Sequence, residues 1–344
     1  MGMTGRDASE AGAGTPPAEA PLPRVSIVIS TFDRAVWLEG LLPSLAALDY
    51  PAFEIVVVNG PSTDGTDALL ARYAGRIKIS RCPEANLSRS RNLGIAAAAG
   101  DVVVFIDDDA VPLDPSWLQH LVAPLAADPA LGASGGPVLR GDGEDWEFQG
   151  RVASDYGELW EPFEAAALGV VGDGHRWVPC VQGNNCAFTR AALLAIGGFD
   201  ESFTYYLDET DVCLRLARSG RSIVYAPRAI VRHYSAAAAH RRTWHDRNWD
   251  VMARSDTYFC LRHGADPLPV RVRRTFALAR RKWPYQTIMR QYRQGHYGWR
   301  RLVRYLARWV RGMAAGLWLG LRRRRHTPLG PEHEPFPFLD YCGS

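Results

Sequence analysis

The chain has no long apolar run. None of its 344 residues fall in a stretch of 18 uncharged apolar positions, so an ordinary transmembrane helix is not expected. Its six cysteines, at positions 82, 180, 186, 213, 260 and 342, form no CxxC pair and show no metal-ligand spacing. That pattern argues against a structural zinc site and fits free thiols in a reducing, cytoplasmic compartment. The segment through Pro23 is Ala, Gly, Pro and Glu with no apolar centre. It is expected to be a disordered tail rather than a secretory signal. No repeat of solenoid length occurs. Acids are nearly missing from one region: between Arg262 and His326, 18 Arg and Lys meet a single acid, Asp266. This local balance of +17 leaves −14 for the rest of a chain whose net charge is +3, so the two parts are suited to different tasks.

A 47% hydrophobic content is enough to build a sizeable core, in one large domain or two. The chain is organised around Asp101 to Asp109, where Val102 to Ile106 run into Asp107, Asp108 and Asp109. The apolar run is β-branched and aromatic without helical periodicity, which predicts a buried strand. Three carboxylates at the end of such a strand repel one another and lose solvation, so a cation is expected beside them. Alternate residues of an extended chain point the same way. Asp107 and Asp109 can therefore share one ion while Asp108 faces elsewhere, and hard oxygen ligands suit Mg²⁺ or Mn²⁺. The bland alternative is an acidic turn ahead of a helix cap at Asp114-Pro115.

Strand and helix alternate four times from Arg24 to Ile106, which predicts an α/β fold with a mostly parallel sheet and helices on both faces. Right-handed crossovers bring the carboxyl ends of the strands to one edge. That edge collects Thr31 to Arg34, the Asn59 to Thr66 loop and Asp107 to Asp109. Further strands are expected at Leu131 to Leu139, interrupted by Gly135-Gly136-Pro137, and at Trp177 to Val181, Cys186 to Thr189, Ser222 to Tyr225 and Ala229 to Tyr234. Helices are expected at Pro115 to Ala127, Arg190 to Ile196 and Glu209 to Ser219. Residues 141 to 176 show no clear period. Trp177, Gln182, Asn184 and Asn185 combine an aromatic face with amides, which suits a hydroxyl-rich ligand such as a sugar or acceptor. Asn184-Asn185 could equally make a turn.

Six segments, in order, resemble family 2 glycosyltransferases. They are Val25 to Arg34, Ser62-Thr63-Asp64-Gly65-Thr66, Ser90-Arg91-Asn92-Leu93-Gly94, Phe105 to Asp109, Gly197-Gly198-Phe199-Asp200-Glu201, and Asp208 to Arg215. The resemblance covers roughly Pro23 to Tyr234. It implies a GT-A (Rossmann-like) fold and inverting transfer of a sugar from a nucleotide-diphosphate sugar to an acceptor hydroxyl. It implies donor contacts from Thr31, Asp33, Arg34, Asn59, Asp64, Arg91, Asp107 and Asp108. It further implies a divalent metal on Asp109 and Asp107, with His233 of Val231-Arg232-His233-Tyr234 as an additional ligand. Gly60 departs from the pattern, because family members usually carry an acid or Asn there to read the base. Base reading here would fall to Asn59, backbone groups or another residue.

Inverting transfer needs a base for the acceptor hydroxyl. Asp208-Glu209-Thr210-Asp211 supplies candidates, although acids at a helix start also serve the dipole and the cap. By the resemblance Glu209 is the base, with Asp208 next. Asp211 is expected to pair with Arg215 at i+4.

The expected organisation is a tail (1–23), a GT-A domain (24–239, divided into a nucleotide-binding half, 24–112, and an acceptor half, 113–239), a basic Trp/Arg-rich helical region (240–326) and a tail (327–344). In Arg301 to Leu321, Leu302, Tyr305, Leu306, Trp309, Met313, Leu317 and Leu321 recur at helical spacing among arginines. This predicts a cationic amphipathic helix lying on an anionic membrane surface, and a peripheral enzyme at its inner face acting on a lipid-linked or cell-surface glycan. A helix packed on the catalytic domain is the alternative. A nucleotidyltransferase and a nucleic-acid-binding protein are the competing functional classes. The oligomeric state stays open, a homo-oligomer included.

Overall fold

The computed structural model describes residues 22–141, 143–161, 177–236, 246–322, 329 and 336–341. The expectations for residues 1–21, 162–176, 237–245 and the arginines at 323–325 lie outside them. The first part alternates as the sequence predicts: β1 (Val25–Thr31), α1 (Ala35–Ala46), β2 (Phe53–Asn59), α2 (Thr66–Ala71), β3 (Lys78–Arg81), α3 (Leu87–Ala97) and β4 (Val102–Ile106). β1 pairs in parallel with β2 and β4, and β2 pairs in parallel with β3. Every residue of β2 and β4 is buried, as expected of parallel strands covered on both faces. The alternation of side chains divides β4 between two cores. Val102, Val104 and Ile106 pack with Leu38, Leu42 and Trp117, while Val103 and Phe105 pack with Ile95, Phe188 and Phe199.

β5 (Ala110–Pro112), α4 (Trp117–Ala127), β6 (Leu131–Gly135), β7 (Val138–Arg140), β8 (Trp146–Phe148), β9 (Arg151–Ala153) and β10 (Leu159–Trp160) follow. Then come β11 (Val178–Cys180), β12 (Asn185–Thr189), α5 (Arg190–Ala195), α6 (Asp208–Arg218), β13 (Ser222–Tyr225) and β14 (Val231–His233). β12 inserts antiparallel between β4 and β6, and β13 adds parallel to β6. The result is a seven-stranded sheet in the order β13-β6-β12-β4-β1-β2-β3. A four-stranded sheet, β5-β14-β7-β8, sits at the carboxyl end of β4, and a three-stranded sheet is built from β10-β9-β11. Residues 146–160, which show no period in the sequence, supply three of these short strands.

The basic region forms α7 (Trp249–His263), α8 (Leu268–Ala279), α9 (Trp283–Arg293) and α10 (Trp299–Leu321). α7 belongs to the core beneath the sheet: Tyr258 and Phe259 pack against Phe203, and the Tyr258 hydroxyl donates to Asp200 at 2.8 Å. Buried Asp211 meets Arg215 as expected, and it also meets His263 of α7 at 2.7 Å. α10 lies on α7 at very short range. A Cβ on Gly312 would come within 2.1 Å of the Asp250 carbonyl oxygen, and one on Gly316 within 2.5 Å of the Arg254 carbonyl oxygen. This contact corrects the expected membrane face of α10. Tyr305 and Met313 are buried, and with Trp309 they face Trp249, Ala253 and Ala279 instead of solvent. Of the last segment, Tyr341 is buried against Phe53 and its N–H donates to the Phe53 carbonyl at 2.7 Å, so this part of the expected tail is docked on the first sheet.

Gly312→Val should cost about 1–3 kcal/mol, the usual range for overpacking. Chemical denaturation should show a lower midpoint. Gly40→Ala, whose Cβ meets nothing within 4 Å in an exposed helix position, should be neutral or slightly stabilising.

Candidate active site

A cavity of about 360 Å³ opens at the carboxyl ends of β1, β2 and β4. Its walls include Thr31, Phe32, Arg34, Gly60, Asp107, Asp108, Asp109 and His233. Two groups of residues not anticipated from the sequence complete it: Glu84 to Leu87 after β3, and Tyr205 with Arg247 and Asn248.

The three acids are separated by function. Asp108 turns toward β1, where Thr31 Oγ1 donates to it at 2.7 Å and Arg34 at 3.1 Å. Asp109 accepts from Arg34 at 2.7 Å and from the Ala236 N–H at 2.7 Å. Its other oxygen is 3.2 Å from His233 Nε2, and Asp107 approaches the same nitrogen at 3.9 Å. Pairing explains this meeting. β14 runs antiparallel to β5 with His233 opposite Ala110, the residue after Asp109, and the Tyr234 N–H donates to the Asp109 carbonyl. Donor atoms of Asp107, Asp109 and His233 all lie within 4.8 Å of one another. Two carboxylates and an imidazole at that range fit Mn²⁺ or Mg²⁺.

The charges reflect this crowding. Burial raises Asp108 to about 7 despite Arg34 and Thr31. Burial also works against the charge on Asp109, but His233 and Arg34 outweigh it and hold this carboxyl well below its ordinary range. Burial alone would lower His233; its contacts with Asp109 and Glu147 instead push it up to about 10. In the absence of a metal the imidazolium supplies the local cation. A metal ion would displace that proton, so metal affinity should rise with pH.

Glu147, on β8, is a site residue that the sequence did not reveal. Its carboxylate is 2.9 Å from His233 Nδ1 and accepts from Gln182 Nε2 at 3.0 Å. A carboxylate behind an imidazole fixes the tautomer and orientation of a metal-ligating histidine. Its only sequence signal is a lone acid between Trp146 and Phe148 in an unpatterned stretch.

Other expected site residues hold the walls instead of forming them. Asp33 Oδ1 accepts from the Thr63 N–H at 2.6 Å, and Asp64 accepts from the Ala35 N–H at 3.0 Å, so the two acids latch the loops after β1 and β2. Asn59 is fully buried; it donates to Asp67 and accepts from Ser62, which leaves its amide no part in base reading. Arg91 is buried too. Its guanidinium pairs with Asp208, donates to the Gly183 carbonyl and lies over the rings of Phe105 and Phe199, away from the cavity wall. Asn185 is likewise corrected. Its Oδ1 accepts from Trp117 Nε1, and its Nδ2 donates to the Pro137 and Ala229 carbonyls, so it ties strands together inside the core. Trp177 is half-buried and outside the cavity wall. Gln182 Oε1 and Asn184 Oδ1 are buried oxygens without a hydrogen-bond partner among the described residues, and neither residue lines the cavity.

The acids of α6 follow two residues in the left-handed region, Tyr206 (φ 73°) and Leu207 (φ 64°). Asp208 is buried and committed to Arg91. Glu209 is half-buried. Burial and the charge and hydrogen bond of Asp208 raise it to about 8, against the pull of Arg91. Neither acid lines the cavity; Arg91 links them electrostatically to Asp107.

Residues 26–193 match the model of glycosyl transferase family 2. Over this core, just under half of its length, the chain is similar to that family. Over 228 residues it is 29% identical to the O-antigen biosynthesis protein RfbC of Myxococcus xanthus, a match covering 63% of this chain and 18% of that protein. It is 28% identical over 233 residues to the glucosyl-dolichyl phosphate glucuronosyltransferase of Haloferax volcanii, covering 61% and 69%. Its fold is similar to that of the mannosyltransferase PcManGT of Pyrobaculum calidifontis, solved with GDP-Man and Mn²⁺, with a TM-score of 0.54 and 20% identity over 90% and 91% of the chains. The family's GT-A architecture is therefore the one seen here. The chain spans much less than two thirds of the length of some of its curated relatives.

Asp109→Asn should abolish Mn²⁺ binding measured by calorimetry on the protein alone. Glu147→Gln should weaken it by about 10–100-fold, the usual effect of removing a carboxylate behind a ligating histidine. Unchanged affinity in both would place the metal elsewhere.

Proposed function

We propose that this protein is an inverting glycosyltransferase that moves a sugar from a nucleotide-diphosphate sugar to an acceptor hydroxyl on a lipid-linked or cell-surface glycan. The observation that carries the reading is the convergence of Asp107, Asp109 and His233 on one point of a 360 Å³ cavity. A divalent ion held there, Mn²⁺ or Mg²⁺, would neutralise the charge that develops on a departing diphosphate. Thr31, Arg34 and Asp108 fix the carboxylates around it. The relative solved with GDP-Man and Mn²⁺ supports this pairing of metal and donor. So does the similarity to proteins named for O-antigen biosynthesis and for a dolichyl phosphate substrate. Gly60 leaves the base-facing wall without a side chain, and Asn59 is withdrawn, so the base is read by other groups of the cavity. Gln182 and Asn184, whose unsatisfied oxygens are buried and off the cavity wall, carry no part of this reading. The same reading makes the protein a peripheral partner of an anionic membrane at its cytoplasmic face.

Glu209 is the proposed base. Asp208 is the weaker candidate because Arg91 occupies it. A carboxyl with its pKa near 8 is poised to exchange a proton close to neutral pH, where base catalysis is most effective. The base form is the carboxylate, so kcat/KM should rise with pH through about 8. Stability has the opposite sign: the raised pKa favours the folded state fully below about 4.5, the ordinary Glu value, and that contribution is lost as pH rises through about 8.

Glu209→Gln should lower turnover by roughly 10²–10⁴-fold while donor binding survives, and it should remove the alkaline rise. Transfer rates at saturating substrate across pH, with thermal stability recorded alongside, check this. A full rate in Glu209→Gln would refute the assignment.

A further inference from the structure

α10 is apolar on two sides. The side carrying Tyr305, Trp309 and Met313 is spent on the neighbouring helices. Opposite the buried glycines, Trp299, Val303, Val310, Trp318 and Leu321 are between 49% and 63% exposed. Their spacing of four, seven, eight and three residues, with exposed Ala307 and Ala314 in the gaps, keeps them in one stripe along the whole helix. Its two tryptophans lie about 28 Å apart at the rise of an α-helix.

One border of the stripe is cationic. Arg300, Arg304, Arg311 and Arg322 follow it at helical spacing, and the helix contains no acid. Among the described residues no carboxylate pairs with any of these four. Arg308 differs, because it is bound to Asp250 at 2.8 Å. At each end an arginine covers a tryptophan: Arg300 over Trp299 and Arg322 over Trp318.

We infer that this outer stripe is the membrane-docking surface, with the helix lying flat on an anionic bilayer. The stripe side chains would enter the headgroup boundary, and the arginine row would meet lipid phosphates. The inference rests on the peripheral placement proposed above, and it moves the contact about a quarter turn round α10 from the side the sequence pattern suggested, with Leu321 common to both. Charge selects the occupant. A second copy would bring two arginine-bordered stripes together with no acid between them. A nucleic acid would pair with the arginines and leave five apolar side chains unsatisfied. An anionic lipid surface satisfies both halves. α10 is already fixed on α7 by its glycine contacts, so docking needs no folding step and leaves the cavity-bearing body attached to the surface.

The test uses full-length protein sedimented with vesicles of phosphatidylcholine alone or of a roughly three-to-one mixture with phosphatidylglycerol. The wild type should bind the mixed vesicles. A Val310→Asp, Trp318→Ser double variant should bind at least about tenfold less, since burial of apolar surface drives insertion. Arg304→Gln with Arg311→Gln should remove the preference for anionic lipid. Both variants should keep the wild-type circular dichroism and the rate of transfer to a soluble acceptor, because these side chains are exposed and far from the catalytic acids in sequence. Loss of transfer in the wild type would count against the enzyme reading, and loss of vesicle binding against this one. The inference is overturned if wild-type protein stays in the supernatant or if the Val310→Asp, Trp318→Ser variant binds undiminished. Conversion of a wild-type dimer to monomer by that variant, or stronger binding to duplex DNA than to vesicles, would also overturn it by assigning the stripe to another occupant.

Discussion

Three consecutive carboxylates at the end of a fully buried strand are the constraint around which this protein is built. Left alone they would destabilise the sheet edge that carries them, because charge is expensive away from water and like charges add to the cost. Each acid is met from a different part of the chain. Thr31 and Arg34 come from the end of β1, His233 from the end of β14, and the Ala236 N–H from the loop beyond it. The arrangement gives each oxygen of Asp108 one partner, whereas Asp107 and one oxygen of Asp109 look toward the His233 imidazole. On the proposed reading, stability and function share these residues, and protein contacts alone hold the three acids together.

The residues around this centre show how family motifs do mechanical work. Asn92 both donates to and accepts from the backbone of Phe199, and it reaches Glu201, so the α3 motif grips the Gly197-to-Glu201 segment. Gly94 lets α3 approach β1, since a Cβ there would fall 2.3 Å from Val28 Cγ1. Arg91, one residue before Asn92, then fixes Asp208 and the Gly183 carbonyl. One helix start thereby sets the spacing between the acids at β4, the acids at α6 and the Gln182-to-Asn184 loop. Arg91 influences the chemistry by positioning Asp208, without touching a cavity wall.

This division of labour also explains what the sequence disclosed. The parallel half was legible because β-branched runs and helical periods alternate there, and each strand end carries polar residues. Asp107 and Asp109 were legible because carboxylates crowded at a strand end demand a cation, whereas His233 was indicated only by the family resemblance. Asn59, Asp33 and Asp64 were located at the right edge, but sequence order cannot tell a residue that faces a cavity from one that braces its wall. Asn185 was misread for the same reason: a buried amide tying strands and an amide reading a sugar are the same residue type. Glu147 could not be found, because its partner lies 86 residues away and the strands that join them are three residues long. In α10 the strongest periodicity marked a protein-facing side. A helix with two apolar sides gives no sequence signal as to which one the fold uses.

Backbone strain points to the same place by an independent route. Among the described residues, four that are not glycine adopt positive φ: Asp33, Tyr206, Leu207 and Ser235. Asp33 follows the strand that supplies Thr31, Ser235 follows His233, and Tyr206 and Leu207 immediately precede Asp208 and Glu209. Such conformations cost on the order of 1–3 kcal/mol each and persist only where surrounding contacts enforce them. The enforcing contacts are present: Thr63 and Ser62 on Asp33, the Asp109 and Glu147 carboxylates around Ser235, and Arg91 on Asp208. An unstrained turn before α6 would begin the helix at a different angle and carry Asp208 away from Arg91. The strain is therefore what aims the first turn of α6, and with it Glu209, from a scaffold whose motifs were already committed to holding the acids of β4.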